Sequence, residues 1–133
     1  MTPGGASARR ERGRRARRRG HWAERLCLWF LRLKGYSIVA HGHVTGRGTG
    51  AGEIDIVARR GRLLIFVEVK IRRQRSQAFG AISLNQRQRL SRAAAAFLGR
   101  HPEFSEHAVR FDAILLAPWR WPCHLIDAWR EDA

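Results

Sequence analysis

Apolar residues between positions 22 and 34 recur at the spacing of a helix. They fall on one side of it: Trp22, Leu26, Trp29, Phe30 and Leu33. Gly35 follows directly, where a left-handed C-cap commonly ends a helix. The pattern predicts an amphipathic helix over residues 22–34, with this apolar stripe facing the core.

Apolar runs after this helix predict strands. Residues 36–44 have the pattern of one strand, and residues 45–52 hold four glycines, which suit a flexible hairpin loop. Two further apolar runs, within residues 52–58 and 63–70, are joined by a short segment that contains three arginines and a glycine. We therefore expect a β-hairpin over residues 52–70.

The second half of the chain adds one helix and two strands. Ser83 is a suitable N-cap for a helix that is rich in alanine and is predicted to stop at Gly99. The predicted elements are a helix over residues 83–98 and short strands over residues 110–117 and 124–128. The order α-β-β-β-α-β-β predicts an α/β fold, a central mixed five-stranded sheet flanked by helices.

Two acidic residues interrupt the apolar runs of the hairpin. Folding the chain back around residues 60 and 61 places Asp55 opposite residue 66 or, with a slightly wider turn, opposite Glu68. Carboxylates so close repel each other unless a proton or a cation neutralises them, and an all-oxygen pair suits Mg²⁺ or Mn²⁺. Lys70, one of only two lysines in the chain, follows two residues after Glu68.

Alternation predicts which hairpin residues share a face. One face carries Glu53, Asp55, Val57, Leu64, Phe66, Glu68 and Lys70, and the other carries Ile54, Ile56, Ile65, Val67 and Val69. Glu68 and Lys70 could be a solvated pair on an exposed strand. The strand around them is otherwise continuously apolar, as in a strand buried on both sides, where unpaired charges are costly. The pattern therefore favours a functional site over an exposed face.

Composition sets broad limits on the function. The 133 residues suffice for one domain, and a formal net charge of +15 attracts polyanions, either nucleic acid or an anionic membrane surface. Cys27 and Cys123 are isolated, which fits a reducing compartment. Residues 1–20 hold eight arginines and one acid, so we expect a disordered basic arm before a domain over residues 21–133.

Targeting signals are weak in this sequence. No run approaches the length of a membrane span, and the arm lacks the apolar centre of a secretory signal. The arm could imitate a mitochondrial transit peptide, but it has no leucine, isoleucine or aromatic residue to form an apolar helix face. We therefore expect a cytoplasmic protein that does not act at a membrane.

The hairpin motif resembles the PD-(D/E)xK nuclease core. The runs GEIDIVARRGRLLIFVEVKIR, KGYSIVA, AAAAFL and VRFDAILLAP are similar to the YraN-type family of predicted bacterial endonucleases, over about residues 20–130. This resemblance implies a restriction-endonuclease-like fold, related to archaeal Holliday-junction resolvases. It also implies catalytic roles for Glu24, Asp55, Glu68 and Lys70. Asp55, Glu68 and the backbone carbonyl of Val69 would hold Mg²⁺ or Mn²⁺.

Several residues keep alternative roles. Glu24 would also favour the dipole at the start of the first helix, and Asp112, beside Arg110, fits a structural ion pair better than a catalytic acid. His41 and His43 replace a segment that usually contains arginine and asparagine in the family, and a zinc site there lacks a third ligand. Glu53 fits an arginine partner slightly better than a second metal. Trp119 and Trp121 fit a core cover better than a base-stacking surface.

A basic surface follows the hairpin along the chain. The residues expected to contact phosphates are Arg72, Arg73, Arg75, Gln86, Arg87, Arg89 and Arg92, with Gln86 standing where the family commonly carries lysine. The sequence thus predicts a metal-dependent endonuclease acting on DNA, including branched or structured DNA. The alternative is a non-catalytic nucleic-acid-binding module with the same fold and basic surface. The sequence leaves a homodimer open.

Overall fold

A computed structural model of the chain describes residues 22–45, 53–71, 83–117 and 121–129. The first helix, α1, spans residues 22–33. The later elements are β1 (Ser37–Thr45), β2 (Glu53–Arg60), β3 (Leu63–Ile71), α2 (Leu84–Arg100), a 3₁₀ turn (Pro102–Phe104), β4 (Ala108–Leu116) and β5 (Cys123–Trp129). The expected order α-β-β-β-α-β-β is confirmed, with strand ends that differ from the prediction by one or two residues. The predicted arm over residues 1–20 lies outside the described residues.

The five strands form one mixed sheet in the order β1-β2-β3-β4-β5. The pairs β1/β2, β2/β3 and β4/β5 are antiparallel, whereas β3 and β4 run parallel. A parallel pair requires a crossover connection, and α2 supplies it between β3 and β4. The architecture is therefore a mixed α/β fold with a five-stranded sheet flanked by helices, consistent with the restriction-endonuclease-like fold expected from the sequence.

The hairpin between β2 and β3 sets the register of the candidate site. Arg60 pairs with Leu63, so the turn consists of Gly61 and Arg62, and Gly61 has a φ of +61° that favours glycine. The same register pairs Ile56 with Val67. One further step along both strands brings Asp55 beside Glu68, which is the wider-turn alternative of the two that the sequence allowed.

Each face of the sheet has its own apolar core. The core under α2 combines buried residues of that helix, Leu90, Ala93, Ala94 and Phe97, with Leu64, Phe66, Phe111 and Trp129 of the sheet. The core under α1 combines Ala23, Cys27, Leu28 and Leu31 with Ile56, Ile65, Val67 and Ile114. Because β3 contributes to both cores, it is buried on both faces, as its continuous apolar sequence predicted.

The predicted buried face of α1 is wrong. Ala23, Cys27 and Leu31 lie against the sheet, whereas Trp22, Trp29 and Leu33 are 66%, 64% and 75% exposed. The narrow residues Ala23 and Cys27 let the helix approach the strands closely, which a row of tryptophans would prevent. The helix is apolar on two sides, and the larger side chains are on the outer one.

Two smaller expectations at other elements are also wrong. Ser83 caps α2 as predicted, since its Oγ accepts a hydrogen bond from the Gln86 N–H, but the helix continues through Gly99 to Arg100. A glycine in a last turn costs only about 1 kcal/mol, and half-buried Leu98 still packs on the core before it. Trp121 precedes β5 and is 76% exposed, so it does not cover the core. Trp119 lies outside the described residues.

No helix in the described part of the chain is both long and apolar enough to cross a membrane.

Candidate carboxylate site between β2 and β3

The ladder between β2 and β3 ends beside Asp55. The last paired residues are Ile56 and Val67, and beyond them the Asp55 carboxylate accepts a hydrogen bond from the Val69 N–H at 2.8 Å. A side chain thus takes the place of the backbone acceptor that a continuing strand would provide. The two strands separate at this point, and Asp55 and Glu68 occupy the opening.

The expected alternation along β2 is interrupted at Asp55. Ile54 belongs to the core under α2 together with Val57, three residues later, whereas Ile56 belongs to the core under α1. The sequence had grouped Ile54 with Ile56, and that prediction is wrong. Asp55 and Ile56 both face α1, although they are consecutive in β2. Asp55 therefore lies close to the Glu24 carboxylate and the Cys27 thiol of this helix.

Glu68 is held from the other side of the opening. It is 7% exposed, and its Oε1 lies 3.2 Å from the Lys70 Nζ. The Gln86 Nε2 in the first turn of α2 donates to the same oxygen at 3.1 Å. One cation and one amide therefore fix this carboxylate between β3 and α2.

Both acids prefer the protonated form more than an exposed carboxyl does. Burial, followed by repulsion from Asp55, raises the pKa of Glu68 to about 7, although Lys70 opposes the shift. Burial also raises the pKa of Asp55, against the hydrogen bond from Val69. Near neutral pH the pair therefore shares a proton or requires a nearby cation.

Glu24 of α1 borders the same opening. Its charge acts to raise the pKa of Asp55, and its Oε1 lies 2.9 Å from the Nδ1 of His41 on β1. Cys27, one helical turn later, is fully buried, and its thiol pKa is raised to about 12 by burial and then by Asp55 and Glu24. The structure thus brings together all four residues predicted to be catalytic, while their chemical roles stay predictions.

The donor set fits a hard divalent cation with open coordination positions. Within the described residues, no three His, Cys, Asp or Glu side chains form a group that could hold a metal. Asp55 and Glu68 supply two carboxylates. The Val69 N–H points to Asp55, and because the N–H and C=O of a strand residue point the same way, the Val69 carbonyl faces the opening too. Magnesium typically uses one or two carboxylates and leaves other positions to water and phosphate.

The first turn of α2 lies at this opening and is followed by arginines along the helix. Gln86 touches Glu68, and Arg89 and Arg92 are exposed farther along the helix, with Arg87 half-buried. No acidic residue lies in the first turn. Arg72, Arg73 and Arg75, also predicted to contact phosphates, lie outside the described residues. The amide of Gln86 is used on Glu68, a role that the sequence did not suggest.

A second buried acid, Asp112 on β4, lies on the α1 side of the sheet. Arg110 binds it through Nε at 2.8 Å and through Nη2 at 2.7 Å, and the His124 Nε2 lies 2.8 Å away. The Asp127 N–H adds a third donor, and Lys34 contacts the His124 Nδ1. The predicted structural ion pair with Arg110 is confirmed.

Sequence reasoning missed three of these partners. His41 was expected to face solvent, and it is exposed, yet it binds Glu24; the side chain of His43 is not described. Gln86 on Glu68 and His124 on Asp112 join residues that are 18 and 12 positions apart. The one available signal was strand alternation: Asp112 and Ile114 share a face of β4, and His124 pairs with Ile114 in the sheet. Glu53 is exposed, and its predicted arginine partner stays a prediction.

Comparison with known proteins gives a consistent family assignment. The family model described as uncharacterised protein family UPF0102 matches residues 23–116. A UPF0102 protein of Paramagnetospirillum magneticum is 58% identical over 117 residues, covering 88% of this chain and 91% of its own. UPF0102 proteins of Parvibaculum lavamentivorans and Mesorhizobium japonicum are 51% and 44% identical, covering 89% and 86% of this chain and 86% and 88% of their own. The matched segment runs from α1 to β4 and includes Glu24, Asp55, Glu68 and Lys70, so the chain belongs to the uncharacterised family UPF0102.

Proposed function

We propose that the protein is a metal-dependent endonuclease of the PD-(D/E)xK type that hydrolyses phosphodiester bonds in DNA. The observation that carries the proposal is the convergence of Asp55, Glu68 and Lys70 where β2 and β3 separate. A buried glutamate and a half-buried aspartate that repel each other, with a lysine 3.2 Å from the glutamate, are costly for folding alone. Their cost is explained if a cation completes the site.

Asp55, Glu68 and the Val69 carbonyl are the groups that would hold Mg²⁺ or Mn²⁺. When bound, the metal supplies Lewis-acid polarisation of the scissile phosphate and a more acidic water. Gln86 and Lys70 fix Glu68 through one oxygen, which keeps the carboxylate oriented. The Lys70 side chain is 19% exposed, and its ammonium can also stabilise negative charge that develops on the phosphate.

Glu24 adds negative charge on the α1 side of the site. His41 holds its carboxylate from the middle of β1, so Glu24 can orient an attacking water or support the metal without approaching Asp55 more closely. Cys27 contributes a neutral thiol near Asp55 and Glu24, because its pKa of about 12 keeps it protonated.

DNA binding would use the basic surface beside the site. Arg89 and Arg92 on α2, with the arginines of residues 1–20, supply sequence-independent contacts to phosphates, consistent with a net charge of +15. Branched or structured DNA is the proposed substrate class, because the family resemblance leads towards junction resolvases. Deleting residues 1–19 should reduce both the affinity and the slope of its salt dependence, while leaving single-turnover cleavage of bound DNA unchanged.

The deciding experiment measures cleavage by the full chain on single-stranded, duplex, flap and four-way DNA with Mn²⁺ or Mg²⁺. Lys70→Ala and Asp55→Asn should each reduce single-turnover cleavage by about a hundredfold or more, with DNA affinity nearly unchanged. Lys70→Arg should also slow cleavage, since a planar fork cannot replace a compact ammonium. Arg62→Ala, which removes one exposed charge at the far end of the hairpin, is the matched control and should cleave normally.

Replacing Arg89 and Arg92 by neutral residues should weaken DNA binding without slowing single-turnover cleavage of the bound DNA. Parent-rate cleavage by Lys70→Ala would remove the proposed role of this residue. Tight DNA binding without cleavage of any substrate, together with no metal binding in calorimetry, would favour the alternative, a non-catalytic nucleic-acid-binding module.

A further inference from the structure

The outer face of α1 is an apolar surface without a described partner on the molecule itself. Its stripe, Trp22, Trp29 and Leu33, is 66%, 64% and 75% exposed. Half-buried Phe30 lies between the stripe and Trp121, whose ring packs edge to face on Phe30 at 6.1 Å and is 76% exposed. Helical spacing places Trp22, Trp29 and Leu33 along one side of α1, and these three residues with Phe30 and Trp121 are here called the tryptophan face.

The tryptophan face is large enough to matter for association. A large aromatic side chain carries about 150–250 Å² of surface, so three tryptophans and a leucine exposed to this degree offer roughly 500–700 Å². A stable interface buries about 800 Å² on each partner, and the largest apolar patch of an ordinary monomer is about 300–600 Å². Tryptophan is also the residue type most enriched among those that dominate binding energy.

The terminal strand of the sheet lies beside this surface. Within the described sheet β5 is the last strand and pairs only with β4. Trp121 lies two residues before the start of β5, and His124 of β5 packs on Phe30 at 6.3 Å, so the free edge and the tryptophan face are neighbours. In β5 the one charged residue is Asp127; residues 123–126 include no lysine, arginine or acid, and Ile126 is 53% exposed. Edge strands that must stay single usually carry such charges.

We propose that the tryptophan face and the free edge of β5 form a two-fold interface with a second copy of this chain. A two-fold axis presents the same surface from both partners, and both features suit that symmetry. An apolar helical stripe packs on itself in antiparallel orientation, and the edge of β5 can pair antiparallel with its own copy. Phe30, Trp121 and His124 link the helix to the strand edge, so the two contacts adjoin.

The chemistry of the face separates a second copy from polyanionic partners. Its contact atoms are uncharged, whereas DNA and anionic lipid are attracted by the net charge of +15. Two copies with this charge repel each other, so added salt should strengthen self-association. The same salt should weaken binding to DNA or to an anionic surface. The sign of the salt dependence thus identifies the occupant.

Sedimentation velocity of the full chain, without metal or DNA, tests the proposal independently of nuclease activity. The parent protein should be dimeric at tens of micromolar in 0.5 M salt and less so in 0.1 M salt. Trp29→Glu should raise the dimer dissociation constant by about tenfold or more, and Trp121→Ala should also raise it. Leu84→Glu, which changes a leucine of α2 that is 69% exposed, is the matched control and should remain dimeric. All three changed residues are exposed, and circular dichroism checks that each variant folds.

A monomeric parent protein at 100 μM in 0.5 M salt would overturn the proposal. A dimer that dissociates in the Leu84→Glu variant but persists in the Trp29→Glu variant would also overturn it. Binding of the monomer to vesicles of anionic phospholipid, lost in Trp29→Glu, would assign the same face to a membrane surface instead.

Discussion

Asp112 and Glu68 are both acids buried in one sheet, yet Asp112 and the pair of Glu68 with half-buried Asp55 have opposite surroundings. Asp112 is fully buried and receives hydrogen bonds from a bidentate arginine, a histidine and a backbone N–H. Asp55 and Glu68 receive one backbone N–H, one amide and one lysine between them, and they repel each other. The fold supplies enough hydrogen-bond donors to neutralise the charge of Asp112, but not enough to neutralise both Asp55 and Glu68.

The pKa values express this difference. Burial acts to raise the pKa of Asp112, but the hydrogen bonds from His124, Arg110 and Asp127 outweigh it and lower the pKa to about 2. Burial of Glu68 is not offset in this way, and its pKa rises to about 7. An ionised Asp112 therefore stabilises the fold, while an ionised Glu68 destabilises it. A buried acid indicates a functional site when its neighbours oppose its charge.

The largest expected effect is that of Asp112→Asn. The change leaves Arg110 and His124 without their anionic partner and should cost about 3 kcal/mol of the free energy of unfolding at pH 7. Chemical denaturation measures it. Since the pKa of Asp112 is lowered to about 2, its stabilising effect is present above pH 4 and is lost as the pH falls towards 2. A deficit that stays constant between pH 6 and pH 3 would contradict the assignment of this acid as an ionised structural residue.

Glu68→Gln should raise the free energy of unfolding at alkaline pH, whereas Asp112→Asn lowers it. Because the folded pKa is raised to about 7, the parent protein loses stability as the pH rises through 7, and the variant avoids this loss. We expect the variant to be more stable by about 2 kcal/mol at pH 8 and equal to the parent only near pH 4, below the ordinary pKa of a glutamate. Glu106→Gln, the same substitution at another exposed glutamate, is the matched control for the loss of one carboxylate. A destabilised Glu68→Gln at pH 8 would show that this acid serves the fold.

The sequence predicted the closeness of Asp55 and Glu68 because a short hairpin fixes local register, and a turn of two residues leaves few alternatives. It predicted the Ser83 cap for the same local reason. The outward stripe of α1 could not be predicted, since Trp22, Trp29 and Leu33 have the spacing of a core face and only tertiary packing selected Ala23 and Cys27 instead. The partners of Asp112 depend on β4, β5 and α1 meeting in space, which no local spacing encodes.

Divalent metal should stabilise the protein through Asp55 and Glu68 but not through Asp112, with a smaller effect than the two substitutions above. At pH 8, 10 mM Mg²⁺ or Mn²⁺ should raise the free energy of unfolding by about 1 kcal/mol if the ion binds only the folded protein at a concentration several times its dissociation constant. Glu68→Gln should abolish this gain, and Asp112→Asn should keep it. Sodium chloride of matched ionic strength controls for screening. An equal gain in both variants would place the metal elsewhere.

The smallest expected effect concerns the amide on Glu68. Gln86→Ala removes one hydrogen bond to this acid and should cost about 0.5 kcal/mol at pH 8 relative to Gln88→Ala, the same substitution at an exposed position of α2. The two variants should converge at pH 5, where Glu68 is protonated and the hydrogen bond is weaker. Thermal unfolding at both pH values measures the difference. Identical variants at pH 8 would show that the amide contributes nothing to holding the carboxylate.

The burial of Cys27 has a kinetic consequence. Its thiol is fully enclosed between α1 and the sheet and has a pKa of about 12, so alkylating reagents cannot reach a thiolate while the helix is in place. Cys123 is exposed and reacts without any opening. The rate at which Cys27 is modified, relative to Cys123, therefore reports how often α1 lifts from the strands. Because α1 carries both Glu24 and the tryptophan face, that single rate follows the integrity of two surfaces at once.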